Sequence, residues 1–485
     1  MRKGISGLVV AAMLVSSCGG GGSSGGSTVV LPTPTPTPTP TGTSCALADR
    51  QAWVYATMQE WYLFPETLPT TVNPASHTTL TSYVDALTAT ARSQGRDRYF
   101  TYVTSIADEN AYYASGATAG FGVRLAYNSS ARRVFIMEAY EGAPALAAGI
   151  DRGDEIIAIG TSTATLRNVA DIIASEGTAG VSSALGPNTA GTTRLLRVAN
   201  AAGTRDVTVA KADYSLTPVS SRYGARVISA NGEQIGYLNL RTFISSADQQ
   251  LRDSFSTFRS AGITKFIVDL RYNGGGLIST AEVFGDMLGG NRSTSDIFSR
   301  IAFRPEKAAQ NATHYFAPTS QSVSPVKIAF IGTGASASAS ELVMNGMAPW
   351  LGTNMALIGT NTYGKPVGQI AVDRTACDDR LRVIAFATTN SAGNANYYSG
   401  LATTLPVTCQ ATDDPAFPLG DAREDSVAKA INFLSGQPCT AITGIVPGAA
   451  TASADRAAVG SGLADRHMLM PTEPDAAQRE NPGLY

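Results

Sequence analysis

Histidine is scarce in this sequence of 485 residues, which contains only His77, His314 and His467. None of the three lies in a recognisable catalytic motif, so the usual base of a serine or cysteine hydrolase has no candidate position. The sequence also lacks a CxxC pair and any cluster of cysteine and histidine with the spacing of metal ligands. We therefore predict no metal site.

An excess of positive charge is missing too. Lysine and arginine number 36 against 38 aspartate and glutamate residues, which gives a formal net charge of −2. No run of basic residues follows the first three positions. Because nucleic-acid binding depends on clustered positive charge, nucleic acid is not an expected partner.

The N-terminus has the pattern of a targeting segment. Arg2 and Lys3 precede an apolar run over residues 5–15, which is too short to span a bilayer as a mature helix. We predict a signal peptide over residues 1–17. Ser16-Ser17-Cys18 resembles a bacterial lipoprotein box, which implies cleavage before Cys18 and lipidation of its thiol; an ordinary signal peptide is the alternative. Gly19 favours the outer membrane, with the protein facing the periplasm or the outside.

The remaining four cysteines, Cys45, Cys377, Cys409 and Cys439, are an even number in a chain with an export signal. This favours disulfides, of which three pairings are possible. We expect Cys377 with Cys409 and Cys45 with Cys439, because the second bond would tie the two ends of the chain together.

Composition divides the chain into several regions and predicts a multidomain α/β protein. Residues 18–44 form a Gly/Ser and Thr-Pro spacer, and residues 45–112 have a helical pattern with an aromatic face. Residues 113–213 have the pattern of a β-rich module. Strands and helices alternate over residues 214–438, which predicts an α/β core. The residues after 438 turn to Ala, Gly, Asp and Pro and are expected to be disordered.

Three glycines follow a predicted strand over Lys265–Leu270, and a serine-rich segment follows another over Val326–Ile331. The segment reads Ala335-Ser336-Ala337-Ser338-Ala339-Ser340-Glu341 and opens a predicted helix, whose N-terminus favours developing negative charge. Because residues two apart on a helix point to nearly opposite sides, only one of the serines can face a base. Sequence reasoning leaves Ser338 and Ser340 open as nucleophile. Helix capping by these serines is the alternative.

Lys365, in Thr362-Tyr363-Gly364-Lys365, is the remaining candidate base. A free lysine is almost entirely protonated at pH 7, but burial lowers its pKa. Its neighbours Tyr363, Pro366, Val367 and Ile370 are mostly apolar, and Gln369 could hold the amine by a hydrogen bond. The run Gly274-Gly275-Gly276 lacks the Lys-Ser or Lys-Thr of a Walker motif, and its amides suit an oxyanion.

The string from Gly142 to Ile159, with Gly120-Phe121-Gly122-Val123 before it, resembles a PDZ domain. The resemblance implies that backbone amides of Gly120, Phe121, Gly122 and Val123 bind a peptide C-terminal carboxylate while the peptide adds a strand. A module that serves only as a spacer is the alternative. The chain's own Pro482-Gly483-Leu484-Tyr485 could dock in this groove or in the active cleft, although disorder of this end is the favoured expectation.

Four features follow one another within residues 50–436: the PDZ-like module, Leu-Arg-x-Asn-x-Gly-Gly, Ser-Ala-Ser-Ala-Ser-Glu and Thr-Tyr-Gly-Lys. This order looks like that of the C-terminal processing peptidases, which are also called tail-specific proteases. The resemblance implies a core similar to crotonase and caseinolytic protease and no cofactor. It implies Ser338 as nucleophile, Lys365 as base, Gln369 as its orienting partner, and an oxyanion hole from Ala339 and the Gly275-Gly276 pair. Pro366 stands where the family usually has glycine.

The function implied by this resemblance is that of an exported, lipid-anchored serine endopeptidase that acts on proteins with accessible C-termini. The alternative is a non-catalytic scaffold that binds peptide C-termini in the periplasm. The sequence does not indicate an oligomeric state.

Overall fold

The computed structural model describes residues 44–443 and 466–485. The predicted signal peptide, Cys18 and most of the predicted spacer lie outside these residues. Among the helices described, none combines the length and the apolar character that crossing a membrane requires.

Helices and strands of the described residues are labelled in chain order. The helices are α1 (Leu47–Trp61), α2 (Leu80–Leu87), α3 (Ala89–Ser93), α4 (Ile106–Ser115), α5 (Pro144–Ala147), α6 (Val169–Leu185), α7 (Ala247–Ser260), α8 (Ile278–Leu288), α9 (Ala339–Leu351), α10 (Asp425–Leu434) and α11 (Ala476–Glu480). The strands are β1 (Tyr102–Ser105), β2 (Ala117–Gly120), β3 (Val123–Asn128), β4 (Arg133–Ala139), β5 (Glu155–Gly160), β6 (Arg167–Asn168), β7 (Thr193–Asn200), β8 (Gly203–Ala210), β9 (Ala212–Ser215), β10 (Arg226–Ala230), β11 (Glu233–Asn239), β12 (Lys265–Asp269), β13 (Ile297–Phe303), β14 (Ala312–Tyr315), β15 (Lys327–Gly332), β16 (Met355–Gly359), β17 (Val367–Arg374), β18 (Asp379–Thr389), β19 (Thr408–Gln410) and β20 (Arg466–Met468).

A six-stranded sheet with the order β10-β11-β12-β15-β16-β19 forms the centre of the core. Its strands from β11 onwards are parallel. Helices α7, α8 and α9 share one buried apolar cluster with this sheet, and α10 belongs to a second cluster. Parallel strands that are covered on both faces are rich in Ile, Val, Leu and Phe, as β12 and β15 are. The predicted α/β core is confirmed.

A second, antiparallel sheet joins the N-terminal residues to the core. Its order is β1-β18-β13-β14, and β17 pairs with β18. Apolar side chains of α1 and α2 share a buried cluster with residues of β17 and β18. The helical pattern predicted for residues 45–112 is thus interrupted by β1, which pairs with β18, and the apolar face of α1 and α2 is covered by this sheet.

A seven-stranded sheet organises the β-rich module, with the order β20-β3-β4-β5-β7-β8 and β6 paired with β5. Helix α6, with a break at Gly177, shares the module's apolar cluster. Strands β2 and β9 pair with each other where the chain enters and leaves the module.

Two predictions are wrong: the pairing of the four cysteines, and the disorder of the last residues of the chain. The disulfides are Cys45–Cys377 and Cys409–Cys439, with Cα–Cα distances of 5.5 Å and 5.3 Å. The first ties the residue before α1 to the turn between β17 and β18, so the chain ends are not joined by a disulfide. Residues 466–485 are ordered, because β20 pairs with β3 and the side chains of Leu469, Leu484 and Tyr485 are almost fully buried. Residues 444–465 lie outside those described.

Candidate active site

Three loops meet at one edge of the six-stranded sheet. The glycine loop (residues 270–277) follows β12, the serine loop (residues 333–338) follows β15, and the lysine loop (residues 360–366) follows β16. Because β12, β15 and β16 are parallel neighbours, they end on the same side of the sheet. This topology brings together side chains that are almost 100 positions apart in the sequence.

Two of the three serines in the serine loop and α9 hold the glycine loop in place. The Ser336 hydroxyl donates to the Leu270 carbonyl at 2.7 Å, and the Ser340 hydroxyl donates to the Asn273 carbonyl at 2.8 Å. Both side chains are fully buried. Their hydroxyls therefore serve structure, which removes Ser340 from the pair that sequence reasoning left open.

Ser338 lies between them and differs from both. It is half-buried, it directly precedes α9, and its backbone has φ 54° and ψ −113°. A non-glycine residue in this region carries strain of roughly 1–3 kcal/mol and persists where the surrounding contacts enforce it. Its hydroxyl is thus presented at the positive end of a 13-residue helix.

The glycine loop approaches Ser338 so closely that a side chain would not fit. A Cβ atom on Gly275, where φ is +122°, would lie 2.8 Å from the Ser338 Cβ. In this structure the Gly275 amide donates to the Asn273 Oδ1 at 3.0 Å. The other predicted oxyanion donors are Gly276 and Ala339. Ala339 is the first residue of α9, where helix geometry leaves amides without an intrahelical acceptor.

Lys365 lies in the lysine loop, and its amine contacts Gln369 and Phe100. Its Nζ donates to the Gln369 Oε1 at 3.0 Å and lies 5.2 Å from the centre of the Phe100 ring. The Gln369 Nε2 donates to the Phe100 carbonyl, which turns the amide oxygen towards the lysine. Burial lowers the pKa of Lys365, while the carboxyl groups of Glu480 and Asp97 oppose that shift. The structure thus brings Lys365 and Gln369 into contact.

Glu341 connects the serine and lysine loops, a role that sequence reasoning missed. Its fully buried carboxylate accepts from the Ser338 amide at 3.1 Å and from the Lys365 amide at 2.8 Å through one oxygen. The other oxygen accepts from the Thr362 hydroxyl at 2.6 Å and from the Gly364 amide at 2.7 Å. Burial raises the pKa of Glu341, and these four donors lower it. The signal in the sequence was an acidic residue three positions after Ser338, the spacing of a capping box.

Arg98, also missed, fastens the lysine loop to the N-terminal residues. Its guanidinium donates to the carbonyls of Tyr363 and Gly364 and lies 4.2 Å from the centre of the Tyr363 ring. Together with Phe100, it makes the N-terminal residues part of the support of Lys365. No local sequence pattern indicated this, because the contact joins residues more than 260 positions apart.

The predicted peptide-binding residues Gly120, Phe121, Gly122 and Val123 lie in the β-rich module, at the start of β3. The amides of Gly122 and Val123 donate to the main-chain oxygen of Tyr485 at 2.9 Å and 3.1 Å. These residues are thus placed together, in a site separate from the glycine, serine and lysine loops.

Two parts of the chain match models of known protein families. Residues 234–400 match peptidase family S41, and residues 49–102 match the peptidase S41 N-terminal domain. The first range contains the three loops, and the second contains α1, α2 and Arg98 with Phe100. A solved structure assigned to the S41 proteases, from Bacteroides fragilis, superposes with a TM-score of 0.61 at 21% identity over 79% of this chain and 97% of that chain, which shows a shared fold.

Curated relatives are similar over part of their length. The chain is 31% identical over 169 residues to the chloroplastic carboxyl-terminal-processing peptidase 2 of Arabidopsis thaliana, which covers 33% of this chain and 30% of that protein. It is 25% identical over 258 residues to a carboxyl-terminal-processing protease of Picosynechococcus sp., covering 52% of this chain and 55% of that protein. Two parts of the chain are thus similar to domains of peptidase family S41, and the chain is similar in sequence to carboxyl-terminal-processing proteases.

Proposed function

We propose that this protein is an exported serine endopeptidase of the C-terminal processing type, in which Ser338 is the nucleophile and Lys365 the general base. The observation that carries the proposal is the shared Glu341 carboxylate, which binds the Ser338 amide and the Lys365 amide through one oxygen. A hydroxyl at a helix start and a partly desolvated amine are thereby held in adjacent loops. This is the arrangement that nucleophilic catalysis without histidine requires.

In the proposed reaction, neutral Lys365 takes the proton of the Ser338 hydroxyl while the oxygen attacks the carbonyl carbon of the substrate. A C–O bond forms, and the carbonyl electrons move to oxygen. The amides of Gly276 and Ala339 would donate to this oxyanion, since the Gly275 amide is engaged by Asn273. The C–N bond then breaks, and the Lys365 ammonium gives its proton to the leaving amine.

The resulting Ser338 ester is hydrolysed by the reverse proton path. Lys365, neutral again, takes a proton from water as the water oxygen attacks the ester carbonyl. The ester C–O bond breaks, the Ser338 oxygen recovers the proton, and the new C-terminus leaves. Gln369 acts as a positioning residue throughout, because its amide oxygen fixes the Lys365 amine and is itself fixed by the Phe100 carbonyl.

We further propose that the β-rich module is a PDZ domain that reads C-termini of protein substrates. The support is the pair of amides at Gly122 and Val123, which donate to the main-chain oxygen of Tyr485 along the edge of β3 that the C-terminal residues cover. An added strand on such an edge is a known mode of peptide recognition. Lipidation at Cys18, an outer-membrane anchor and a position facing the periplasm or the outside remain part of the proposal from the sequence.

The test is digestion of casein and of tail peptides, followed by mass spectrometry of the products. We expect Ser338→Ala and Lys365→Ala to lower kcat/KM by at least about 1,000-fold, since residues that act as a unit fail together. Ser340→Ala is the matched control, because it removes a hydroxyl two positions away while the proposed nucleophile remains. Circular dichroism confirms that each variant is folded.

The outcomes separate the candidate functions. Full cleavage by Ser338→Ala, or cleavage that is retained in Ser338→Ala and lost in Ser340→Ala, refutes the assignment of the nucleophile. Binding of tail peptides by the native protein, with no turnover at any pH between about 7 and 10, would instead indicate the non-catalytic scaffold.

A further inference from the structure

The tail segment, residues 466–485, lies along one edge of the β-rich module in two pieces. Strand β20 pairs antiparallel with the end of β3, from Arg466 opposite Asn128 to Met468 opposite Ala126. The Leu469 amide donates to the Leu125 carbonyl at 3.0 Å. The pairing then resumes at Leu484, which bridges Arg124. Residues 470–482, here called the excursion, leave the sheet edge between these two pieces.

The last residues of the tail segment fill the predicted peptide groove. The Tyr485 oxygen accepts from the Gly122 and Val123 amides, and the Tyr485 amide donates to the Val123 carbonyl at 2.9 Å. A Cβ atom on Gly120 would lie 2.7 Å from the Tyr485 carbonyl carbon, so that position accepts only glycine. These are the contacts of a bound peptide end.

The Tyr485 side chain occupies a pocket that suits it. It is 2% exposed and belongs to the buried apolar cluster that contains Phe121, Val181 and Leu185. Its hydroxyl forms a hydrogen bond with the Ser182 hydroxyl. An apolar pocket with one polar partner at its end favours tyrosine over a smaller or charged residue.

The excursion reaches the catalytic loops. The Glu480 carbonyl accepts from the Gly274 amide of the glycine loop at 2.9 Å, and the Glu480 carboxylate accepts from the Tyr113 hydroxyl at 2.9 Å. The Asn481 side chain donates to the Tyr112 hydroxyl at 2.6 Å. A cavity in front of Lys365 has Arg479 and Glu480 in its wall. The excursion therefore stands where an extended substrate would have to pass.

Arg124 couples the groove to the excursion. Its fully buried guanidinium donates to the Pro482 carbonyl at 2.9 Å and to the Tyr272 carbonyl of the glycine loop at 2.8 Å. One side chain of the module thus holds the tail segment and a catalytic loop at once. Loss of the groove contacts would leave the excursion held by fewer bonds.

We propose that the tail segment is an intramolecular inhibitor, with Tyr485 as ligand of the peptide groove and the excursion as the part that closes the catalytic cleft. Its competitor is a peptide or protein end that terminates in tyrosine, which would displace Tyr485 and release the excursion. The inference rests on the proposed function. Because the tail segment is tethered, its effective concentration at the groove is on the order of millimolar. Peptide or protein C-termini that bind weakly or are present at low concentration therefore do not compete with it.

Glu480 adds an electrostatic part to the inhibition. Its carboxyl group raises the pKa of Lys365, as do Asp97 and Glu341, whereas burial and Arg382 lower it. Burial raises the pKa of Glu480, and Lys365 lowers it. The docked excursion therefore favours the charged lysine, which cannot act as a base. Release of the excursion removes this carboxyl group and increases the neutral fraction at a given pH.

The experiment compares the full-length native protein with Tyr485→Ala, Glu480→Gln and the control Tyr315→Ala, which alters an exposed tyrosine. Two measurements are made: casein hydrolysis, and hydrogen exchange of the segment that contains the Gly122 and Val123 amides. We expect Tyr485→Ala to raise kcat/KM at least about tenfold, which corresponds to a docked population of roughly nine in ten. Exchange should accelerate in Tyr485→Ala and stay unchanged in Tyr315→Ala.

Addition in trans provides an independent arm. A peptide of residues 483–485, which lacks the excursion, should activate the native protein at millimolar concentration, while the same peptide with Asp at the tyrosine position should not. Glu480→Gln should shift the rising limb of the pH profile to lower pH. If Tyr485→Ala leaves exchange unchanged, or accelerates exchange without raising hydrolysis by an active native enzyme, the proposal is overturned. If no form hydrolyses casein, the proposed function fails, and exchange still decides whether Tyr485 is the groove ligand.

Discussion

Glu341 is a charged side chain with no exposure to solvent, enclosed by the serine and lysine loops. Its two oxygens accept four hydrogen bonds, two of them from the amides of Ser338 and Lys365. A buried carboxylate is tolerated when several donors surround it. This residue therefore sets the distance between the two loops on which the proposed chemistry depends.

Glu341→Gln should lower kcat/KM by about 100-fold. The new NH₂ group would face hydrogen-bond donors of the two loops and push the loops apart, and a displacement of about 1 Å is enough for a rate loss of this size. Steady-state kinetics on casein measure the effect. Glu155→Gln is the matched control, since Glu155 pairs with the half-exposed Arg133 far from the loops. Native kcat/KM in Glu341→Gln would contradict the positioning role.

Lys365 determines the expected pH dependence. Burial lowers its pKa from the ordinary value of 10.5. The neutral, active form is therefore gained as pH rises through this lowered value, and kcat/KM should rise with a midpoint below 10.5. Lys365→Arg should be inactive at every pH, because a guanidinium does not lose its proton in this range. A flat profile between about pH 6 and 10 in the native enzyme would count against a lysine base.

At the scale of elements, β12 and β15 have apolar sequences that predict buried strands, and both were expected from the sequence. Helix α11 and strand β20 were not expected, because each is short and lies in a segment with few apolar residues. Both are stabilised by contacts with elements that lie far away in the sequence. The local sequence does not predict such long-range contacts.

The disulfide between Cys45 and Cys377 ties α1 to the turn between β17 and β18, where Arg50 also pairs with Asp379 at 2.5 Å. Replacing both cysteines by serine should lower the free energy of unfolding by about 2–4 kcal/mol, measured by denaturant titration. Peptide mapping without reduction checks the pairing directly. Recovery of a Cys45–Cys439 peptide would restore the pairing expected from the sequence and refute the one observed.

At the scale of the molecule, a buried ion network joins the β-rich module to the core. Asp413 accepts from Arg152 of the module at 2.8 Å and from Arg271 of the glycine loop at 3.0 Å, and Tyr272 donates to its other oxygen. Burial alone would raise the pKa of Asp413, but the two arginines hold it well below its usual range. The module is therefore fixed to a catalytic loop by charge as well as by apolar contacts.

Asp413→Asn should destabilise the protein by about 3–5 kcal/mol, because two buried guanidinium groups lose a charged partner. Since the folded pKa is depressed, the native carboxylate contributes full stability above its unfolded pKa, near 4, and that stability is lost as pH falls further. Thermal unfolding followed at several pH values below about 5 tests this: the native protein should lose stability more steeply than the variant. Parallel curves would show that Asp413 is not responsible.

The sequence by itself determined the α/β core, the three loops, the candidate base Lys365 and the choice of nucleophile between Ser338 and Ser340, because buried strands and short motifs depend on neighbouring residues. The tertiary structure decided which serine is presented, since Ser336 and Ser340 are bonded to the glycine loop. It also decided which cysteines pair, that Glu341 binds both the serine loop and the lysine loop, and that Tyr485 lies in the groove. Each of these depends on contacts between residues far apart in the chain, which only the packing of sheets and loops brings within bonding distance.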